Sequence, residues 1–284
     1  MNCSPRSRLR ARLAPVAPAL VIAVVTTGLL LPAAGSGASA QEAVPAPEPP
    51  AAAAPVPTPP DVAPPTYTVT PTEAVEVDGA LLVTFSEPVS GVDSGTLRLR
   101  GTPSTILAAG DGTSFTLRAA RPLYAGAAYV VESSPRIVDA AGNAHLPQAV
   151  RLAASALVDD RSTGLRLLGT WSRLSASGAA GGSYVRSVPI RTRWTATHTD
   201  VFGGGVQIRG CLGPGNGILE VWADGQRLAS VDTYREATGC GVRLASVRFP
   251  TGTGLHLVEV RGLGEKRRAS SGTAIAVDAV TALP

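Results

Sequence analysis

The sequence predicts an all-β protein of two sandwiches, and three observations carry that expectation. Apolar residues recur at every second position over short runs, the period of a strand with one buried face. Turn signals such as Asp111-Gly112 and Asp224-Gly225 punctuate those runs. The runs fall into two regions, residues 67–155 and 165–284, joined by the polar, turn-rich stretch SALVDDRSTG at 155–164; the second region is long enough to bury its own core.

At the N-terminus Arg6, Arg8, Arg10 and Arg12 precede the uncharged run from Ala19 to Leu31, and Ala38-Ser39-Ala40 follows. That order is the pattern of a signal peptide over residues 1–40, with the mature chain beginning near Gln41. The apolar run falls short of the roughly 20 residues a membrane span needs. It is not followed by a lipoprotein-type cysteine, and the chain ends without a second apolar segment. A secreted or cell-surface protein is expected, extracellular or wall-associated, without a membrane span after cleavage. Residues 41–66 hold ten prolines and seven alanines and almost nothing that could fill a core. They read as a disordered Pro/Ala-rich linker, with polyproline II geometry extending at most roughly 80 Å.

Charge argues against a nucleic-acid partner. Four of the 25 basic residues lie in the leader and none of the 21 acidic ones do, so the mature chain balances 21 against 21.

From Tyr67 onward Leu81, Val83 and Phe85 alternate with Leu82 and Thr84, Leu97 and Leu99 with Arg98 and Arg100, and Phe115 and Leu117 follow the Asp111-Gly112 turn. Tyr129 and Val131 give a further strand, Asp139 to Asn143 a turn, and Gln148 to Leu152 the last strand. VTFSEPVSG at 83–91 and IVDAAGNAHL at 137–146 resemble the bacterial Ig-like domain of the S-layer-protein type. The resemblance implies a small extracellular spacer or display module over residues 67–155.

In the second region Val206 and Ile208 alternate with Gln207 and Arg209, and Leu219, Val221 and Ala223 with Glu220. Asp224-Gly225 then turns the chain into a strand from Arg227 to Asp232, because both central residues of a type I′ turn need positive φ. FGGGVQIRGCLGPGNGILEVWADGQRLASVDTY, with GLHLVEV at 254–260 and AVDAV at 276–280, is similar to a jelly-roll module of actinobacterial extracellular proteins and to galactose-binding-like and carbohydrate-binding-module sandwiches. That likeness covers residues 165–284 and implies a jelly roll; such folds bind sugars, bind proteins or space other domains.

Cys3 leaves with the leader, so an even pair remains, Cys211 and Cys240, and a disulfide between them is expected of an exported chain. The chain lacks G-x-S-x-G, H-E-x-x-H and C-x-x-C patterns, and its three histidines are His145, His198 and His256. A non-catalytic protein is therefore expected. His256 is in phase with Val258 and Val260 and reads as core-facing. Jelly rolls of carbohydrate-binding type often hold a structural Ca²⁺ near the closing strand; here Asp278 is the one residue that matches that position, a weak metal candidate, and no other cofactor is implied. Sugar recognition draws on aromatic faces beside polar groups. Trp194 with Arg191 and Arg193 is the first candidate, and Trp222 and Tyr234 complete the set. Trp222 is out of phase with Leu219, exposed or covering the opposite side of the sandwich. Two functions follow: a binding module for wall or environmental polysaccharide on an Ig-like spacer, or a structural or adhesive protein contacting other surface proteins.

Overall fold

The structure, a computed structural model, describes residues 59–188 and 195–284. The expected signal peptide, the linker up to residue 58 and the segment holding Arg191, Arg193 and Trp194 lie outside the described residues. Among those described no helix is long and apolar enough to cross a membrane.

Ten strands form the first sandwich: β1 (Tyr67–Thr70), β2 (Ala74–Val75), β3 (Ala80–Phe85), β4 (Val89–Ser90), β5 (Leu97–Leu99), β6 (Ser104–Ala108), β7 (Ser114–Ala119), β8 (Ala128–Ser133), β9 (Val138–Asp139) and β10 (Ala149–Ala154). One sheet runs β1-β3-β7-β6, the other β2-β10-β8-β5, and β4 and β9 pair as a short ribbon. Alternation works as the sequence predicts. Leu81, Val83 and Phe85 point inward against Leu97, Leu99, Phe115, Leu117 and Val131, all buried, each contributing about 1.5–3 kcal/mol of transfer free energy relative to exposure for residues of this size.

The second sandwich adds β11 (Leu157–Asp159), β12 (Arg166–Leu168), β13 (Trp171–Ser175), β14 (Ser183–Ser187), β15 (Thr195–Gly203), β16 (Gly205–Leu212), β17 (Ile218–Ala223), β18 (Gln226–Asp232), β19 (Gly239–Arg248), β20 (Gly254–Gly262) and β21 (Ala276–Leu283). Its sheets are β13-β14-β21-β16-β19, with β11 on β21, and β12-β15-β20-β17-β18. From β14 to β21 the chain alternates between the sheets except at the β17–β18 hairpin, which is jelly-roll winding. In that hairpin Asp224 has φ 50° and Gly225 φ 80°, the two positive values a type I′ turn requires.

Two stretches differ from the sequence reading. Residues 155–164, read as a polar joint, contain β11, and Val158 is buried within the apolar cluster; a single inward valine in a polar run is too short a pattern to register as a strand. The end of the Pro/Ala linker is laid onto the first sandwich. His145 Nδ1 donates to the Pro65 carbonyl at 2.7 Å, Ser133 Oγ donates to His145 Nε2 at 2.7 Å, and Asn143 Nδ2 donates to the Asp61 carbonyl at 3.2 Å. A buried imidazole needs partners for both nitrogens, and here the linker's backbone supplies one.

The sandwiches meet as one body. Ala125 N–H donates to Asp200 O at 3.1 Å and Phe202 N–H to Ala125 O at 2.8 Å. Asp78 Oδ2 accepts from the Thr163 amide at 2.9 Å. Val77, Leu123, Ala125, Val158, Leu165 and Val201 belong to one buried cluster that reaches both cores.

Candidate functional site

Of the predicted ligand residues, Trp222 and Tyr234 are described. Trp222 is half-buried on β17, facing away from Leu219, Val221 and Ala223, which fill the core. Its ring is not bare: the Arg261 guanidinium lies 4.1 Å from the ring centroid, an attractive cation–π geometry. Trp222 Nε1 donates to Glu220 Oε2 at 2.9 Å, Arg227 Nη1 donates to Glu220 Oε1 at 2.9 Å, and Arg261 pairs with Glu259. Burial pushes the Glu220 carboxyl up, but the hydrogen bonds from Arg227 and Trp222 outweigh it and hold the group below its ordinary range. Tyr234 lies beyond β18 with a cation of its own, Arg267, 5.2 Å from its ring. Each aromatic thus belongs to a separate ring–cation pair.

Asp278 is fully buried on β21. Oδ1 accepts the Ala180 N–H at 2.9 Å, and Oδ2 has no partner. Burial raises its pKa, and Asp160 and Asp159 add to the rise. Asp160, the nearest acidic neighbour by charge, is itself committed: Arg173 Nε donates to it at 2.7 Å and Ser183 Oγ at 2.9 Å. Calcium takes six to eight oxygens, and one uncommitted carboxylate oxygen does not make that cage.

Among the described residues three carboxylates do converge elsewhere, Asp61, Glu87 and Asp139, with ligand oxygens within 4.8 Å of one another. Burial and then the charges of Asp61 and Asp139 raise Glu87. Both Asp139 oxygens already accept from Asn143, at 2.8 Å each. His256 is core-facing as expected, with Nε2 3.0 Å from the Gly252 carbonyl; its other nitrogen lies 2.7 Å from Asp224 Oδ2, a partner from the hairpin turn.

One concave site lies where the sandwiches meet. A cleft of about 340 Å³ is lined by Arg121, Tyr124 and Tyr129 from the first and Arg166, Thr199 and Asp200 from the second, a volume at the lower end of small-molecule pockets. Tyr129 Oη accepts the Tyr124 N–H at 2.9 Å and so anchors the loop that carries Arg121 and Tyr124; burial raises the Tyr129 phenol, which stays protonated. Arg166 Nη1 donates to Asp200 Oδ2 at 3.0 Å across β12 and β15. The Ala125 amide binds the Asp200 carbonyl, which ties that strand to the first sandwich. Thr199 is 1% exposed and its hydroxyl has no partner, whereas buried hydroxyls are ordinarily bonded. The sequence reading missed this site. No local period marks it, because its lining comes from segments far apart in the chain.

No family model and no curated protein matches the chain. Solved structures similar to it include a Paenibacillus xanthan lyase, at 13% identity and TM-score 0.40, where the match covers 72% of this chain and 19% of the lyase. A family 35 carbohydrate-binding module from Clostridium thermocellum is similar at 13% identity and TM-score 0.31, over 44% of this chain and 96% of the module. The N-terminal part of the bacterial S-layer protein SbsC is similar at 15% identity and TM-score 0.27, over 47% of this chain and 40% of that one. This chain spans less than a fifth of the lyase's length.

Proposed function

We propose that this chain is a non-catalytic binding protein that works outside the cytoplasm and holds a hydroxyl-rich ligand, a saccharide, in the cleft between its sandwiches. The observation that carries this reading is the cleft itself, an open hollow lined by Tyr124, Tyr129 and Arg121 beside the Arg166–Asp200 pair. The phenol rings of Tyr124 and Tyr129 supply apolar faces beside polar groups, the mix that sugar binding uses. Binding without turnover agrees with the cleft's inventory, since glycoside hydrolysis ordinarily needs two carboxylates and among the described residues the cleft offers Asp200, held by Arg166. The Cys211–Cys240 disulfide supports export, because such bridges persist in oxidising compartments.

A glycan array with the full chain, repeated with Tyr124→Ala, tests the reading. Binding that the wild type shows and the variant loses at unchanged Tm supports it. Failure of the wild type to bind any glycan favours a second reading, a rigid structural or adhesive surface protein, for which the backbone hydrogen bonds across the joint speak.

A further inference from the structure

We propose that the outer face of the β16–β19 pair is a docking strip for a linear acidic glycan, whose anionic groups seat between Arg209 and Arg243 and beside Arg248. The strip shares no residue with the lining of the joint cleft and stands independently of that reading.

Register puts like charges opposite each other. The antiparallel strands β16 and β19 pair Gly205 with Arg248, Gln207 with Ser246, Ile208 with Ala245 and Arg209 with Arg243. Leu244 is the extra residue of a bulge between the last two pairs; it is buried with Ala245, which leaves Arg243 and Ser246 pointing outward. Arg209, Arg243, Ser246 and Arg248 are all exposed. Directly opposite residues hold their Cβ atoms about 4.5–5.5 Å apart, a separation at which like charges repel. Neither the Arg209 nor the Arg243 guanidinium makes a hydrogen bond or ion pair with a described residue. The first carboxylate along the same cross-strand row is Asp159 of β11, beyond Ala279 of β21, and its Oδ1 already accepts the Arg161 and Ser162 amides. Asp278, which also senses Arg209, is buried within the sheet. An oxyanion seated between the two guanidinium forks would replace their repulsion with charge-assisted hydrogen bonds.

The order of side chains along the strip selects the class of ligand. From the Gly205–Arg248 row to the Arg209–Arg243 row the outward positions bring three arginines and no carboxylate, so the partner is anionic. Between them Gln207 and Ser246 offer an amide and a hydroxyl that bond to no described residue, groups that complement hydroxyls. Two residues advance a strand by about 7 Å, so Arg248 and the Arg209–Arg243 row stand about 13 Å apart with the neutral row midway. Arg248 gives one N–H to the Pro284 carbonyl and keeps further donors for a ligand. Acidic groups spaced by hydroxylated rings match that order. Single-stranded nucleic acid is the other common linear polyanion, but it is held by aromatic side chains on which bases stack, and these outward positions carry none.

Titration calorimetry on the full chain tests this with polygalacturonate oligomers, their methyl esters and a thymidine homopolymer of equal charge. The acid should bind at least roughly 10-fold more tightly than the ester, and its affinity should fall as salt rises. Arg209→Gln and Arg243→Gln should each weaken the acid roughly 10-fold without lowering Tm, because each also removes the repulsion across the strands. Arg151→Gln removes an exposed arginine of the first sandwich whose guanidinium has no described partner, and it should leave the affinity unchanged. Equal losses for Arg151→Gln and Arg243→Gln would mean diffuse charge attraction and overturn the strip. A Tm lowered by both Arg209→Gln and Arg243→Gln would show that the fold already compensates these charges, and would overturn it as well. A thymidine homopolymer bound as tightly as the acid would overturn the glycan class. Acid binding lost in Tyr124→Ala but kept in Arg243→Gln would place the acid in the joint cleft, overturning the strip and sparing the cleft. A wild type that binds no acid overturns the strip and leaves the cleft to its own glycan test.

Discussion

Asp278 is a carboxyl buried without a matching charge, and its raised pKa has a definite consequence for stability. Burial is the main cause, and the charges of Asp160 and Asp159 add to it against the Ala180 hydrogen bond and Arg209. The folded chain therefore holds this proton more tightly than the unfolded one. The stability it confers is fully present below the ordinary carboxylate range near pH 4 and is lost as pH rises through the raised folded value. Asp278→Asn keeps the shape without the charge. Relative to this variant the wild type should lose Tm as pH rises above about 4, and thermal melts of both across acidic to neutral pH check it. A Tm difference that does not vary with pH would show that the carboxyl is not protonated by folding. Glu220 behaves oppositely. Its pKa is lowered, so its pairing with Arg227 and Trp222 stabilises above the ordinary range and fades on acidification.

Two pieces of local architecture in the jelly roll admit direct tests. The disulfide joins β16 to β19, partners in one sheet, where their register shifts between Gly210 and Leu212. With 29 residues separating the cysteines, removing the cross-link should destabilise by about 2–4 kcal/mol in the chain-entropy model. Denaturant midpoints with and without reductant, and for Cys211→Ser, measure it; an unchanged midpoint would mean the paired strands alone hold that end. In the β17–β18 hairpin Asp224 serves twice, adopting positive φ and binding the Leu257 amide at 2.9 Å and His256 at 2.7 Å. Asp224→Gly retains the turn and removes both bonds, so it should cost about 1–3 kcal/mol. Asp224→Asn, which can still accept from the Leu257 amide, should cost less.

Over the whole molecule the decisive feature is that the sandwiches share buried apolar surface and backbone hydrogen bonds. Cooperative unfolding follows, and calorimetry should record one transition for the two sandwiches. Gly126 lies at their closest approach, with φ 78°, and a Cβ there would meet Phe202 O at 2.7 Å and the Ala282 Cβ at 3.0 Å. Gly126→Val should therefore pry the joint open and split the transition in two, with the cleft's binding lost as well. A wild type that already melts in two steps would contradict a shared core.

The sequence by itself determined what depends on near neighbours. Alternation placed Leu81, Val83 and Phe85, Val206 and Ile208, and Leu219, Val221 and Ala223 inside, because a strand's side chains alternate whatever it pairs with. Asp224-Gly225 announced its hairpin because positive φ is a property of those two residues, and two remaining cysteines in the chain left one pairing. The tertiary structure decided everything that needed strand order. It set the Arg261 guanidinium over Trp222, gave Asp160 to Arg173, brought Asp224 to His256 and laid Asp61 to Pro65 against the first sandwich. It also brought Arg121 of one sandwich to the same cleft as Thr199 of the other. No local period encodes that meeting, since it arises from the packing of two separately wound sandwiches along a joint whose contacts are long-range and whose geometry follows from the fold of both.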